Sequence, residues 1–301
     1  MTAKKSKKIK FSVSDRIFYT VTGIIMFLLF ITFMYPLIFV VSASFSSGAA
    51  VQAGRVVLWP VDLSVEGYLH VFRHNLILRA YWNTIRYTTV GTLFSITMVM
   101  LAAYPLSRKD FVGRNKIMLV FVFTMLFSGG MIPNFLLMRD LGILDTIWVM
   151  TVPTALSVFF VIIARTFIQS SIPEEMLESA QIDGCSDARY FFTILLPLSK
   201  AVIAVICLFA AVNHWNAFFS AIIYLQSRDM VPLQIVLREM LILNQMDMSM
   251  VDDPELIFQM MNIAAVIRYA LIVVATVPIL CAYPFAQKYF AKGVMIGSVK
   301  G

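Results

Sequence analysis

A chain of 301 residues that is 60% hydrophobic and only 14% charged, with a mean hydropathy of +0.83, does not describe a water-soluble globular domain. The net charge of +7 does not point to nucleic acid, because the basic residues sit where membrane topology wants them. Three cysteines, Cys185, Cys207 and Cys281, form neither a pairing framework nor a metal-ligand spacing and read as small apolar side chains.

Lys4, Lys5, Lys7, Lys8 and Lys10 precede an apolar run over residues 17–41. That run is too long for the core of a signal peptide, so it reads as an uncleaved first span. Six stretches are long and apolar enough to cross a bilayer core of about 30 Å, which needs about 20 helical residues. They are residues 17–41, 81–106, 117–138, 146–168, 198–225 and 263–287. Several hold a proline (Pro36, Pro105, Pro153, Pro278 and Pro284), tolerable where neighbours satisfy the freed carbonyls. With residues 1–16 inside, sixteen of the 24 Lys and Arg fall on the cytoplasmic side. Both termini and the segment between the fourth and fifth spans are therefore expected in the cytoplasm.

The first outer segment contains Glu66, His70 and His74 at i, i+4 and i+8. A helix would stack them as metal ligands, but with no fourth ligand in view an interfacial amphipathic helix burying Tyr68, Leu69 and Phe72 is preferred. Asn83-Thr84 opens the second span, and Ala102-Ala103-Tyr104-Pro105-Leu106-Ser107-Arg108, followed by Phe111 and Gly113-Arg114, closes it as a short basic turn. Ser128-Gly129-Gly130-Met131-Ile132-Pro133 breaks the third apolar run. Irregular backbone in lipid must face protein or water, so the break either points inward or lets helices pack closely.

The stretch at 169–197 is a polar island between two apolar segments. Ser171 and Glu174 have the spacing of a capping box, Pro173 suits a first turn, and Gly184 can supply a left-handed stop. Met176, Leu177 and Ala180 share one face of that short helix, and Glu178 and Gln181 another. Its small-residue centre would let a partner approach. Ser186 can cap a second short helix carrying Tyr190, Phe191 and Phe192, which Pro197 ends or kinks.

The fifth span holds Asn213-His214-Trp215-Asn216-Ala217-Phe218-Phe219. Polar side chains at that depth need a cavity or a partner helix, so Asn213, Trp215 and Asn216 line a substrate path or act as polar glue, and Asn83 of the second span is placed on the same path. Indole faces stack on sugar rings and amides bond hydroxyls. The outer segment 226–259 interleaves Met246, Met248 and Met250 with Asp247, Asp252, Asp253 and Glu255. A loop touching a soluble partner is preferred there to a methionine-rich metal site. Arg268 is a functional candidate inside the sixth span or snorkels to its outer edge. The tail from Lys288 is glycine-spaced, poor in helix signals and too specific for a frayed end.

These motifs together carry a resemblance. Glu178, Ser179 and Ala180, then Gly184, then Ile194, Leu196 and Pro197 resemble the EAA loop of ABC importer permeases, with Ser179 replacing the commonest alanine. The turn at Tyr104–Arg114, the Trp215-Asn216 pair before Phe218, and the tail Lys288-Tyr289-Phe290 through Gly293, Gly297 and Lys300 resemble the second permease subunit of maltose-type carbohydrate importers. The segments 128–133 and 292–301 resemble the branch handling polysaccharide-derived oligosaccharides. The resemblance implies an all-α integral membrane protein with the six-helix, type I ABC importer permease fold. Residues 1–16 would be a basic cytoplasmic start, 17–287 the membrane domain with its coupling loop at 169–197, and 288–301 a cytoplasmic tail.

The resemblance also implies a heterodimer with a second permease subunit, a cytoplasmic ABC ATPase dimer, and an extracellular or periplasmic solute-binding protein that delivers oligosaccharide. Glu178, Ser179, Ala180, Gly184 and Pro197 would couple to the ATPase, and Gly293, Gly297 and Lys300 would contact it. No Gly-rich phosphate loop ending in Gly-Lys-Ser/Thr is present, so ATP and Mg belong to the partner ATPase and this chain carries no cofactor. A permease for amino acids, peptides or polyamines would keep the loop but lack the Trp-Asn and tail elements. A secondary transporter would place carboxylates inside its spans, whereas almost every Asp and Glu here lies outside them.

Overall fold

Apolar residues follow one another around every side of the segment after Ser12, so its helix has no polar face to turn to water and suits lipid instead. A computed structural model describes residues 12–246 and 253–297. The basic cluster at 4–10, Asp247, Met248, Met250, Asp252 and Lys300 lie outside the described residues. Among the described residues the structure is helical, without strands. In chain order the helices begin with α1 (Val13–Ser44), α2 (Gly48–Gln52), α3 (Glu66–Arg73), α4 (Ile77–Ser107) and α5 (Arg114–Leu126). They continue with α6 (Met131–Asp140), α7 (Ile147–Thr151), α8 (Val158–Ser171), α9 (Glu174–Ile182) and α10 (Asp187–Tyr190). A π-helical turn, Phe191–Leu195, leads into α11 (Leu196–Leu198), α12 (Lys200–Trp215) and α13 (Phe218–Tyr224). The last two are α14 (Leu233–Met246) and α15 (Pro254–Gly297).

The chain forms two compact units, 1–71 with 244–273, and 72–243 with 274–301. In the first, serines at the end of α1 organise the connection that follows. Ser42 Oγ donates to the Leu58 carbonyl (2.6 Å), Ser46 Oγ accepts from Val61 N (3.0 Å), and Ser44 Oγ pairs with Tyr68 Oη (2.8 Å). Ala43, Ala50 and Val56 are buried beneath, with Phe39 and Tyr269 edge to face at 5.6 Å.

In the second unit α4 is the axis, packed against α12 and α8. Its core joins Val99, Met100 and Ala103 of α4 to Val161 and Ala164 of α8 and Val202 and Ile206 of α12, continuing to Ala180, Tyr190, Phe191 and Leu195. A second cluster joins Tyr87 of α4 to Val149 and Met150 of α7 and Ala221 of α13. Gly91 lets α12 approach: a Cβ there would stand 2.4 Å from the His214 ring.

Three helical stretches, Val13–Ser44, Ile77–Ser107 and Ile257–Pro284, are long and apolar enough to cross a membrane. The expected third span is broken at 127–130, where α5 and α6 meet at 113°, and Gly130 adopts φ +87°. The expected fourth span is divided between α7 and α8 by a non-helical link at 152–157 that includes Pro153. The fifth is bent by 79° at its start and interrupted at Asn216-Ala217. Counting each bent pair once gives up to five crossings among the described residues. One expectation is corrected: the stretch from Lys288, poor in helix signals in the sequence, is helical as far as Gly297, at the end of α15.

Candidate coupling site

α8 ends at Ser171, and Ile172-Pro173 turns the chain into α9. The expected capping box does not form, since Ser171 is spent in α8 and Pro173 is the N-cap, with no side-chain bond. Glu174 and Glu175 still sit in the first turn, where the positive end of the helix dipole favours them. The other end is closed as expected. Gly184 takes φ +71°, its N–H bonds the Gln181 carbonyl (3.0 Å), and Cys185 N–H bonds the Ala180 carbonyl (2.9 Å). That pair of bonds is a Schellman cap around a left-handed glycine. Ser186 Oγ then accepts from Arg189 N (3.3 Å) and starts α10, and beyond Pro197 the chain bends into α12.

The face of α9 is more selective than its pattern. Ala180 is buried in the chain's own core and Leu177 is half-buried, whereas Met176, Glu178, Ser179 and Ile182 are exposed, Ile182 at 87%. The alanine thus seats the helix, and the surface left for a partner combines carboxylates with two apolar side chains. Gly184 faces open space, with nothing within 4 Å of where a Cβ would be.

The loop is braced by residues the sequence marked only as a basic turn. The end of α4 leaves carbonyls without helical partners, and side chains take them. Arg165 Nε donates to Leu106 O (2.9 Å), Gln169 Nε2 to Ser107 O (3.1 Å) and Arg114 Nη1 to Arg108 O (2.6 Å). Arg108, whose side chain is 13% exposed, donates Nε to Asp110 Oδ1 (2.8 Å) and Nη1 to Tyr104 Oη (3.1 Å), and pairs with Asp187 of α10. Tyr104 stacks on Tyr190 at 6.1 Å. The bond to Asp110 raises the Arg108 pKa above that of a free guanidinium, against the effect of burial, and holds Asp110 below its ordinary value. Lys109 pairs with Glu174 at the start of α9. Between this turn and α9 lies an open groove of about 550 Å³, lined by Arg108, Arg114, Gln169, Glu174 and Glu178 among others.

No protein-family profile matches the sequence. A polygalacturonan/rhamnogalacturonan transport system permease protein of Bacillus subtilis (strain 168), YtcP, is 43% identical over 273 residues, covering 88% of this chain and 92% of that protein. This chain belongs to the carbohydrate ABC importer permeases. Among solved structures, a bacterial ABC transporter involved in the import of the acidic polysaccharide alginate aligns with TM-score 0.82 and 34% identity, over 94% of this chain and all of that one. A chain of a bacterial alginate ABC transporter, in complex with an alginate pentasaccharide-bound periplasmic protein, shares the fold at TM-score 0.54 and 18% identity, over 92% and 96% of the two chains.

In this permease the four polar residues singled out for a substrate path are in different situations. Asn83 is buried, and its Nδ2 donates to the carbonyls of Asp229 (2.8 Å) and Val231 (3.1 Å). Trp215 is buried, with Nε1 donating to Ala275 O (3.0 Å). Asn213 and Asn216 are exposed, and Asn216 ends α12 with Nδ2 on Val212 O (3.0 Å). Gly293 and Gly297 lie on α15. Arg268 is exposed and lines an open recess of about 330 Å³ with Gln52 and Tyr269. Glu66 and His70 approach to 3.9 Å, but α3 ends at Arg73, before His74, and no cluster of three metal-ligating side chains occurs among the described residues. Sequence reasoning missed the roles of Arg108, Asp187, Arg165 and Gln169. The only available signal was their chemistry: polar side chains flanking a helix end that needed acceptors filled.

Proposed function

We propose that the chain is one of two permease subunits in an ATP-driven importer that moves oligosaccharides across the bacterial cytoplasmic membrane. In this reading it crosses six times, with both termini and residues 169–197 in the cytoplasm. The observation that carries it is α9: a short helix seated by Ala180, closed by a left-handed Gly184, and presenting Glu178, Ser179 and Ile182 outward. A separate ATPase dimer receives this face and supplies the ATP and Mg chemistry. The tail with Gly293, Gly297 and Lys300 reaches the same partner.

A soluble binding protein delivers the glycan from outside, as the periplasmic protein holding an alginate pentasaccharide suggests by analogy. The uronic-acid polymers named for two relatives support oligosaccharides derived from polysaccharides as cargo. Asn213 and Asn216 meet the cargo with exposed amides, and Asn83 and Trp215 shape the path through the backbone they hold. ATP binding closes the ATPase dimer, moves α9 and α10, and switches the pathway from inward- to outward-facing.

The test is ATP-dependent oligogalacturonide uptake in proteoliposomes holding the second permease, the ATPase and the binding protein, with wild type compared to Gly184→Asp. A side chain at 184 meets open space, so the variant clashes with nothing. It places a charge on the proposed docking face and also strains the left-handed backbone at φ +71°, a cost that Gly184→Ala shares and controls for. Uptake and ATPase association are both expected to fall sharply. Uptake that persists without any ATPase would end the importer reading.

A further inference from the structure

α4 is pinned at both ends. It has 31 residues, which at 1.5 Å each is about 46 Å. At one end Arg108 ties it to the loop through Asp187 and Tyr104, over which its guanidinium also lies, 5.7 Å from the ring centre. At the other end α4 grips the segment before α14. Asn83 Nδ2 holds the Asp229 and Val231 carbonyls, and Tyr87 Oη donates to Met230 O (2.7 Å). Thr84 Oγ1 accepts from Leu233 N (2.8 Å), and Arg79 pairs with Asp229. Between these ends α4 is a continuous helix through Gly91, packed on α8 and α12.

We propose that Arg108 is a positioning residue for coupling: it clamps the α9–α10 loop to the end of α4, so that α4 delivers displacement of the loop to residues 229–233 at its far end. The inference rests on the reading of α9 as the ATPase-docking element. Apolar contacts under the loop are non-directional and let packed surfaces slide, whereas a nearly buried guanidinium bonded to two carboxylates and a phenol fixes distance and angle. The neighbouring pair Lys109–Glu174 cannot share this role equally. Both of its side chains are exposed, 73% and 40%, and exposed pairs contribute little. The carboxylates that meet Arg108 are each 63% exposed, but the Arg108 side chain itself is 13% exposed and is held by both of them and by Tyr104 together. Nor is Arg108 merely an end cap for α4, since the α4 carbonyls are bonded by Arg165, Gln169 and Arg114 instead.

The test uses the full complex in proteoliposomes and reads three quantities: ATPase association, basal ATP hydrolysis, and stimulation of hydrolysis by binding protein loaded with oligogalacturonide. For Arg108→Gln, association and basal hydrolysis are expected to stay near wild type, while stimulation and uptake fall roughly two- to thirtyfold, the span that coupling residues give. Arg108→Lys should restore part of the loss by keeping one charged bond. Tyr87→Phe, remote from the loop, should lower stimulation too, and adding it to Arg108→Gln should cost less than the sum, because both act on one rod.

Wild-type stimulation in Arg108→Gln would overturn the clamp. If Arg108→Gln fails to assemble, Asp187→Asn decides, since it leaves the Asp110 bond and the α4 carbonyl bonds in place: reduced stimulation supports the clamp and unchanged stimulation overturns it. Failure of the docking reading has another signature, namely Gly184→Asp associating and responding like wild type.

Discussion

At the scale of single residues, two backbone positions with positive φ separate conformational need from chemical need. Gly184 needs a left-handed residue but has no neighbour to crowd. Ala there costs about 1–2 kcal/mol of backbone strain, while Asn adopts the same region more readily. Gly184→Asn is therefore expected to retain more ATPase association than either Gly184→Ala or Gly184→Asp, as pull-down of the assembled complex would record. If Asn and Asp are equally disabling, bulk on the docking face decides rather than charge.

Asp145 is the second position, at φ +54° and not a glycine. Its carboxylate accepts from Gln226 N and Ser227 N, both at 3.0 Å, and from Ser227 Oγ. The Ser227 hydroxyl bond is the largest cause of its lowered pKa, with the backbone bonds adding to it. A depressed carboxylate contributes stability that is complete above its ordinary value of 3.8 and lost as pH falls through the lower folded value. Protection of the Gln226 and Ser227 amides from hydrogen exchange, corrected for intrinsic rate, should hold to about pH 4 and fail below it. Asp145→Asn should remove that dependence; a protection profile unchanged in Asp145→Asn would show the loop held by something else.

At the scale of elements, what was legible and what was not divides by the kind of signal. Local chemistry at 169–197 was legible where one residue sets one dihedral or one cap: Gly184 stops α9, Ser186 starts α10, and Pro197 precedes the bend. It misled where a spacing admits two partners, and Ser171 went to α8 rather than to a box with Glu174. Breaks in apolar runs were legible where glycines and a proline cluster, as at 128–133, and hidden at 152–157 and 216–217, where hydropathy averages over a helix and its interruption alike. The tail misled for a related reason, since glycine weakens a helix by only about 1 kcal/mol each and does not forbid one.

Proline inside α15 was legible in principle, and the structure supplies the compensation. Pro278 has no N–H for the carbonyl four residues back, at Val274, and that carbonyl accepts from Tyr81 Oη, beside Trp215 Nε1 on Ala275 O. Tyr81→Phe should then destabilise the purified protein by about 1–3 kcal/mol, the cost of an unpaired buried carbonyl. In a Pro278→Ala background, where residue 278 can donate to Val274 O, the same change should cost distinctly less in a denaturation assay in detergent. Equal costs in the two backgrounds would detach the hydroxyl from the proline.

At the scale of the molecule, much apolar surface is left outward. None of the central stretch of α1 is buried by the rest of the chain, and Phe123, Leu126, Phe127, Met131 and Ile132 around the Gly129-Gly130 break are exposed. Lipid can cover α1, whose backbone bonds are internal. It cannot satisfy the open backbone at 127–130, which needs protein or water. A single sequence shows such runs as apolar but does not separate lipid-facing from partner-facing ones, which is why the number of crossings was the least legible feature of the fold.

The α5–α6 pair decides that number locally. If it is one bent crossing, the turn at Val112, 93% exposed, and the turn at Leu141, 60% exposed, lie on opposite sides of the membrane. If it is a re-entrant hairpin, they share a side. The basic cluster Arg108, Lys109, Arg114 and Lys116 favours the cytoplasm for the first turn, whereas Arg139 and Asp140 beside the second cancel and pair with each other at 2.9 Å. Single cysteines at Val112 and Leu141, in a background lacking Cys185, Cys207 and Cys281, should therefore react with a membrane-impermeant maleimide from opposite faces. Val112→Cys is expected to label only in inverted vesicles and Leu141→Cys only in right-side-out ones. Labelling of both from the cytoplasmic face would make the pair re-entrant, reduce the crossings by one, and leave the open backbone at 127–130 inside the membrane as part of a cavity wall.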